Sequence, residues 1–227
     1  MSFGLEDREE LETAGRVWRR KLLSVAEARA LARHCDVGNR PGIRLLLTPD
    51  LVPYVGVTST VSREVAAFDA AARPVRLVAF NKSAESNWGV PWHQDRVIAV
   101  AQKFDVKGYS NWVAKSDYWH CEPPTELLEN MLFVRIHLDH CEQKHGAMEI
   151  ALGSHKHGFV EARRAGSVAG GSATEICEAE PGDVLILKAL TLHRSRAATE
   201  LSGRRALRVD FARRGDLDRG LEWSFVG

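Results

Sequence analysis

The chain has 227 residues, 44% hydrophobic and 27% charged, an ordinary composition for one globular domain with a substantial core. A formal net charge of +1 argues against a nucleic-acid or membrane footprint. The opening residues from Met1 to Asp7 lack the apolar core of a signal peptide, and no run approaches the roughly 20 apolar residues of a membrane span.

Along the chain, residues 6–35 read as helical. Ser24-Val25-Ala26-Glu27 is a capping-box pattern that predicts a helix start at Ser24. Cys35, Cys121, Cys141 and Cys177 are scattered without a CxxC pair, and so read as reduced thiols of a cytoplasmic protein. The segment 44–47 is ambiguous between strand and loop, and a second helix is expected over 61–71. Pro74 then introduces 75–81, rich in β-formers, as the first strand of the main sheet. Residues 96–130 place Tyr109, Trp112, Tyr118 and Trp119 among Gly and Pro, which predicts a long loop, either folded over a pocket or a surface excursion that packs its own aromatics. The small-residue segment 165–172 is expected to be a mobile loop. Pro181-Gly182-Asp183 signals a turn, followed by a buried strand over 184–192 that delivers His193. Residues 204–211 alternate charged and apolar, and Ser202-Gly203 predicts an antiparallel hairpin between these last two strands. Helices early and strands late favour an α+β or mainly-β fold over alternating βαβ units.

The stretch Val90-Pro91-Trp92-His93-Gln94-Asp95 carries the chemistry. On a strand, His93 and Asp95 point to one face and can grip one ion, with Gln94 and Trp92 on the other. His193 from a distant strand would complete two imidazoles and one carboxylate, the triad that leaves open positions on non-haem Fe(II). The predicted hairpin brings Arg204 back beside the metal, where a guanidinium grips a carboxylate bidentately. A second HxD, His137-Leu138-Asp139, lies near His140 and His145, but Asp139 opens a polar, turn-like run. Cys141 with nearby histidines lacks the paired spacing of a structural zinc module. His155, in Gly153-Ser154-His155, reads as architectural. Lys82 is either a contact for a bound carboxylate or a surface lysine, and Arg135 either a substrate-carboxylate anchor or a solvated charge.

From about Arg76 to Phe211 the chain resembles the phytanoyl-CoA dioxygenase-like family of Fe(II)/2-oxoglutarate oxygenases. The resemblance rests on Phe80-Asn81-Lys82-Ser83, Asn87-Trp88, the His93/Asp95 stretch, His137-Leu138-Asp139, Gly146-Ala147-Met148, Gly153-Ser154-His155, Pro181-Gly182-Asp183, and His193 with Ser195 and Arg204. It implies a double-stranded β-helix, a jelly-roll and cupin-like core over about 74–215, with a helical part over about 1–73, all in one domain spanning 1–227. It further implies His93, Asp95 and His193 as iron ligands. Arg204, eleven residues after His193, would hold the far carboxylate of 2-oxoglutarate with Ser195 assisting, and Arg205 is the fallback. Lys82, one strand before His93, is a further candidate for that carboxylate or for the substrate.

The expected activity is O2-dependent hydroxylation of a C–H bond of a small-molecule substrate, with release of succinate and CO2. Halogenases of this type replace the carboxylate ligand with a small residue, and this chain keeps Asp95. Rival readings on the same fold are a cupin-like metal-dependent isomerase or hydrolase, and a non-catalytic small-molecule-binding protein. Neither accounts for Ser195 and Arg204 falling where a 2-oxoglutarate clamp would sit.

Overall fold

The computed structural model describes residues 4–38, 40–84, 87–115 and 117–225. The reading of the first three residues therefore lies outside the described part. The chain runs α1 (Leu5–Ala14), β1 (Arg16–Arg19), α2 (Val25–Ala32), β2 (Gly42–Leu45), α3 (Val52–Val55), α4 (Thr60–Ala66) and β3 (Ala72–Lys82). It continues through β4 (Val90–His93), β5 (Ile98–Val100), β6 (Ser110–Ala114), β7 (Trp119–Glu122), α5 (Thr125–Asn130), β8 (Leu132–His137) and β9 (Met148–Ala151). The last elements are α6 (Ala162–Gly170), β10 (Thr174–Ile176), β11 (Val184–Lys188), β12 (His193–Ser195) and β13 (Arg204–Arg213).

The strands form a major sheet in the order β1-β11-β8-β13-β3-β2 and a minor sheet in the order β10-β9-β12-β4. Every pairing is antiparallel. This is the expected mainly-β, double-stranded β-helix core with helices collected at the N-terminal end. Side-chain alternation splits the major sheet into two faces. Leu77, Ala79, Val134, Ile136, Leu207 and Val209 face outward and pack with Leu31, Val55, Val61 and Val65 of the helices. From Arg76 to Lys82 in β3 and from Arg204 to Asp210 in β13, the even-numbered residues face the minor sheet. On the far side of the minor sheet, Ala165 and Ala169 of α6 pack against Trp92 and Leu192.

Several expectations change. The predicted helix over 6–35 is broken by β1, which joins the sheet edge beside β11. The capping box at Ser24 is present in full, with the Ser24 side chain accepting from Glu27 N and the Glu27 carboxylate accepting from Ser24 N. The ambiguous segment 44–47 contributes to β2, so β3 is not the first strand of its sheet. Pro74 lies inside β3 next to a bulge, since Arg76 and Pro74 face the consecutive Asp210 and Phe211 and leave Val75 as the extra residue, the kind of position where a strand tolerates proline. The segment 165–172 lies largely in α6, because Ala165 and Ala169 bury against the minor sheet. Within the stretch expected as a loop, β5, β6 and β7 form a third sheet in the order β5-β7-β6, and none of the described residues from 96 to 125 is among those lining the cavity described below. Its Tyr109, Trp112 and Trp119 pack into a shared core with Leu221 and Trp223.

The largest correction concerns the C-terminal hairpin. The strand that begins at Val184 ends at Lys188, and the chain crosses to the minor sheet before His193. β12 pairs with β4 and β9, whereas β13 pairs with β3 and β8. His193 and Arg204 thus face one cavity from opposite sheets rather than lying side by side.

Candidate metal centre

His93 and His193 are direct cross-strand partners on β4 and β12, with ring centroids 4.3 Å apart. Asp95, two residues beyond His93, brings its carboxylate Oδ2 to 3.2 Å from His193 Nε2. One ligand atom from each of His93, Asp95 and His193 lies within 4.8 Å of the others. The backbone sets the ring tautomers. His93 Nδ1 is 2.8 Å from the Pro91 carbonyl and His193 Nδ1 is 2.9 Å from the Thr191 carbonyl, so each Nδ1–H donates there. Both Nε2 lone pairs are then left free toward Asp95. Two imidazole lone pairs and a carboxylate oxygen converging in this way repel one another unless a cation sits among them, which is the donor set of a divalent metal held by oriented histidines. Burial, then the neighbouring His193, holds the His93 pKa below its ordinary value and favours the neutral ligand form.

Gln94 points away, as its place between two ligands predicts. Its amide donates to the Gly158 and Leu190 carbonyls, both at 2.8 Å, and accepts from Val160 N. It ties the metal-bearing segment to the loops behind it. Trp92 shares that outward direction and stacks under Arg194.

Asp95 has a partner that sequence reasoning missed. The Arg208 guanidinium contacts Asp95 Oδ2 and also grips Asp210 through both carboxylate oxygens, at 2.5 and 3.0 Å. Burial raises the Asp95 pKa, but Arg208 and His193 outweigh it and hold the carboxyl well below its ordinary range. Arg208 lies four residues after Arg204 on the same face of β13, and that parity was the available signal.

A cavity of about 140 Å³ opens beside the triad, lined among others by Lys82, Trp88, Arg135, Ser195, Arg204 and Arg208. Lys82 and Arg204 are opposite one another in the β3–β13 register. Both are nearly inaccessible, at 2% and 6% exposure, so the surface alternative for Lys82 fails. Lys82 Nζ donates to the Arg196 carbonyl at 2.5 Å, and Arg204 Nη2 donates to the Gly146 carbonyl at 2.9 Å. Arg204 Nε and Arg135 Nε are buried without a hydrogen-bond partner. None of the three cations has an acidic partner among the described ion pairs. Burial, then Arg204 and Arg135, pushes the Lys82 pKa down to about 8, and burial with Arg204 pushes Arg135 down to about 10. Three crowded cations without a counterion among the described residues make this end of the cavity strongly positive. Gly146 makes room for the Lys82 side chain beside the Arg196 carbonyl. Its φ is +71°, and a Cβ there would stand 2.7 Å from the Arg196 carbonyl and 2.8 Å from Lys82 Nζ.

The other candidate residues separate. Arg205 faces outward and pairs with Asp139 through two hydrogen bonds of 2.9 Å, so it does not reach the cavity. His137 is buried on the inner face beside Trp18, whereas Asp139 is outside with Arg205, so the second HxD does not converge on one ion. His140, Glu142 and His145 do cluster on the surface, but Lys144 occupies Glu142 and His140 pairs with Glu142 and Glu180. His155 is turned to the Glu12 carbonyl, 3.2 Å away. All four cysteines are buried and free. No helix among the described residues is long and apolar enough to cross a membrane.

The family described as phytanoyl-CoA dioxygenase (PhyH) matches residues 46–206. Among solved structures, the non-haem alpha-ketoglutarate-dependent carbocyclase SnoK from nogalamycin biosynthesis superposes with a TM-score of 0.68 at 17% identity, covering 94% of this chain and 85% of that one. HygX from Streptomyces hygroscopicus with iron bound gives 0.65 at 13% identity, with coverages of 93% and 87%. The epimerase SnoN in complex with Fe3+, alpha-ketoglutarate and nogalamycin RO gives 0.64 at 13%, with coverages of 92% and 83%. At these identities the likeness is one of fold. No curated protein sequence matches the chain at the significance required.

Proposed function

The chain belongs to the phytanoyl-CoA dioxygenase family, and on that premise we propose that it is an Fe(II)- and 2-oxoglutarate-dependent oxygenase that hydroxylates a C–H bond of a small molecule. The observation that carries this reading is the convergence of His93 Nε2, His193 Nε2 and Asp95 on one point, beside a buried cationic pocket that has no counterion. His93, Asp95 and His193 would hold the iron, which supplies the activation of dioxygen when bound. Arg204 and Lys82 would hold the far carboxylate of 2-oxoglutarate, with Ser195 on the wall between them and the triad. Arg135, opposite Arg208 in the register and also lining the cavity, adds a further positive charge that favours a dianion over a monoanion there.

The chain's own work is orientation and exclusion of water. The Pro91 and Thr191 carbonyls fix the imidazole tautomers, and Arg208 restrains the Asp95 carboxylate. Phe133, Met148 and Leu187 form apolar wall around the site. Retention of Asp95 favours oxygen transfer over halide transfer, since a carboxylate occupies the position a halide would need. The solved proteins of this fold include one described as a carbocyclase and one as an epimerase, so the product is the finer part of the proposal.

Metal binding tests it directly. Equilibrium dialysis with Fe(II) under anaerobic conditions should give one tight site per chain, lost in Asp95→Ala and kept in Asp139→Ala. Retention of iron by Asp95→Ala together with its loss in Asp139→Ala would refute the ligand set.

A further inference from the structure

Beyond Arg208, the inner face of the major sheet carries more cations than the cosubstrate end uses. Arg44 on β2, Val78 on β3, Arg208 on β13 and Arg135 on β8 stand in one row across the sheet. One pleat further on, Arg76 and Asp210 are partners in the β3–β13 register. Alternation therefore places Arg44, Arg76, Arg208 and Asp210 on one face, at the side of Asp95 away from Lys82 and Arg204.

Three guanidinium groups here meet two carboxylates. Asp210, 1% exposed, is occupied by Arg208 through both oxygens and lies 3.5 Å from Arg76. Asp95 is the carboxylate that iron would claim. Once it does, Asp210 alone balances Arg44, Arg76 and Arg208, and the metal adds further positive charge close by. An unbalanced buried cation is costly, and an arriving anion relieves it.

The hydrogen-bond inventory points the same way. The Arg44 guanidinium lies 3.7 Å from the Tyr118 ring centroid with Nη2 on Ser224 Oγ, and its Nε and Nη1 are buried without a hydrogen-bond partner among the described residues. Arg76 donates through Nη1 to the Val97 carbonyl at 2.7 Å, and its Nε is left unpartnered. His120 Nε2, on β7, is also buried without a partner. Burial, then Arg76, Lys115 and Arg44, pushes the His120 pKa down to about 4, so the ring is neutral near neutrality.

We propose that Arg44, Arg76 and His120 form the subsite for an oxyanion group of the primary substrate, a carboxylate or a phosphate monoester. The proposal rests on the Fe(II)/2-oxoglutarate reading for the claim that the other cationic end is filled by the cosubstrate. The two ends then divide the work. Lys82, Arg135 and Arg204 take the dianionic cosubstrate, and Arg44 and Arg76 take the substrate's acid group, with Asp95 and Arg208 between them. A guanidinium pair of this kind suits bidentate oxyanion recognition.

The test uses the full chain loaded with Ni(II), which binds without turnover, and saturated with 2-oxoglutarate. Acetate and inorganic phosphate are titrated by ligand-observed NMR, with acetamide as the neutral counterpart. One oxyanion should bind saturably, acetamide should bind at least ~tenfold more weakly, and Arg44→Gln or Arg76→Gln should weaken the oxyanion by ~tenfold or more, about 1.4 kcal/mol. The affinities for Ni(II) and 2-oxoglutarate should stay unchanged. Preference for acetate or for phosphate identifies the acid group. Arg44 is on an edge strand, so Arg44→Gln decides the matter if Arg76→Gln does not fold. Equal binding of acetamide, or oxyanion binding indifferent to Arg44→Gln, overturns the proposal. A chain that takes up no 2-oxoglutarate defeats the cosubstrate reading separately. The oxyanion titration is then read in Arg204→Gln, where the other cationic end is weakened.

Discussion

At the scale of single residues, the cavity is defined by what each cation touches. On the proposed reading, Arg204 would offer the cosubstrate a charge-assisted hydrogen bond worth ~1.5–3 kcal/mol. Arg204→Ala should therefore raise the dissociation constant for 2-oxoglutarate by roughly 10- to 100-fold, with iron retained. Arg205→Ala should leave that constant unchanged, because Arg205 is committed to Asp139 on the outer face. Isothermal titration of the two variants decides between neighbours that the sequence could not separate by register alone. Lys82 supplies a pH signature. Its pKa near 8 lies below the ordinary lysine value, so the folded protein sheds this charge as pH rises through about 8. Binding of 2-oxoglutarate should weaken above that pH, and the step should vanish in Lys82→Gln. The linkage to stability has the opposite sense: between about 8 and the ordinary lysine value the unfolded chain holds the proton and the folded one does not, so stability from this group rises with pH. The convergence of His93, Asp95 and His193 was legible from residue types and spacing. Arg208 was not, because its importance depends on Asp95 reaching across from the opposite sheet.

At the scale of elements, local signals were reliable where the deciding interactions are local. The Ser24 capping box involves residues three apart and forms as read. Ser24→Ala should cost ~1 kcal/mol in chemical denaturation, the usual worth of an N-cap. The turn at Pro181-Gly182-Asp183 is another such case. Gly182 has a φ of +93°, and a Cβ there would fall 2.0 Å from the Leu23 carbonyl oxygen. Gly182→Ala should thus destabilise by more than the ~1–2 kcal/mol of left-handed backbone strain, visible as a lowered midpoint without loss of iron binding in the folded fraction. The misread elements were those decided by distant partners. β1 exists because the edge of β11 accepts it. α6 is a helix because two alanines on one side of a Gly-rich segment find the minor sheet. The apolar run from Val184 to Leu192 carries no mark of the point where it leaves one sheet for the other, so a single strand and a local hairpin looked sufficient.

At the scale of the whole molecule, the two-sheet core explains how the site is assembled. The minor sheet supplies His93 and His193, with Asp95 following directly after β4, and the major sheet supplies the cations. Neither sheet alone brings the His93, Asp95 and His193 cluster beside the cationic end of the cavity. The central claim is that iron and 2-oxoglutarate occupy one cavity together, and their optical signature is the most direct measurement of it. The apo protein is titrated anaerobically with Fe(II) and then with 2-oxoglutarate while the visible spectrum is followed. A weak charge-transfer band that needs both components and is absent in His93→Ala is the predicted result. Fe(II) bound at the triad with no band on addition of 2-oxoglutarate would contradict the account.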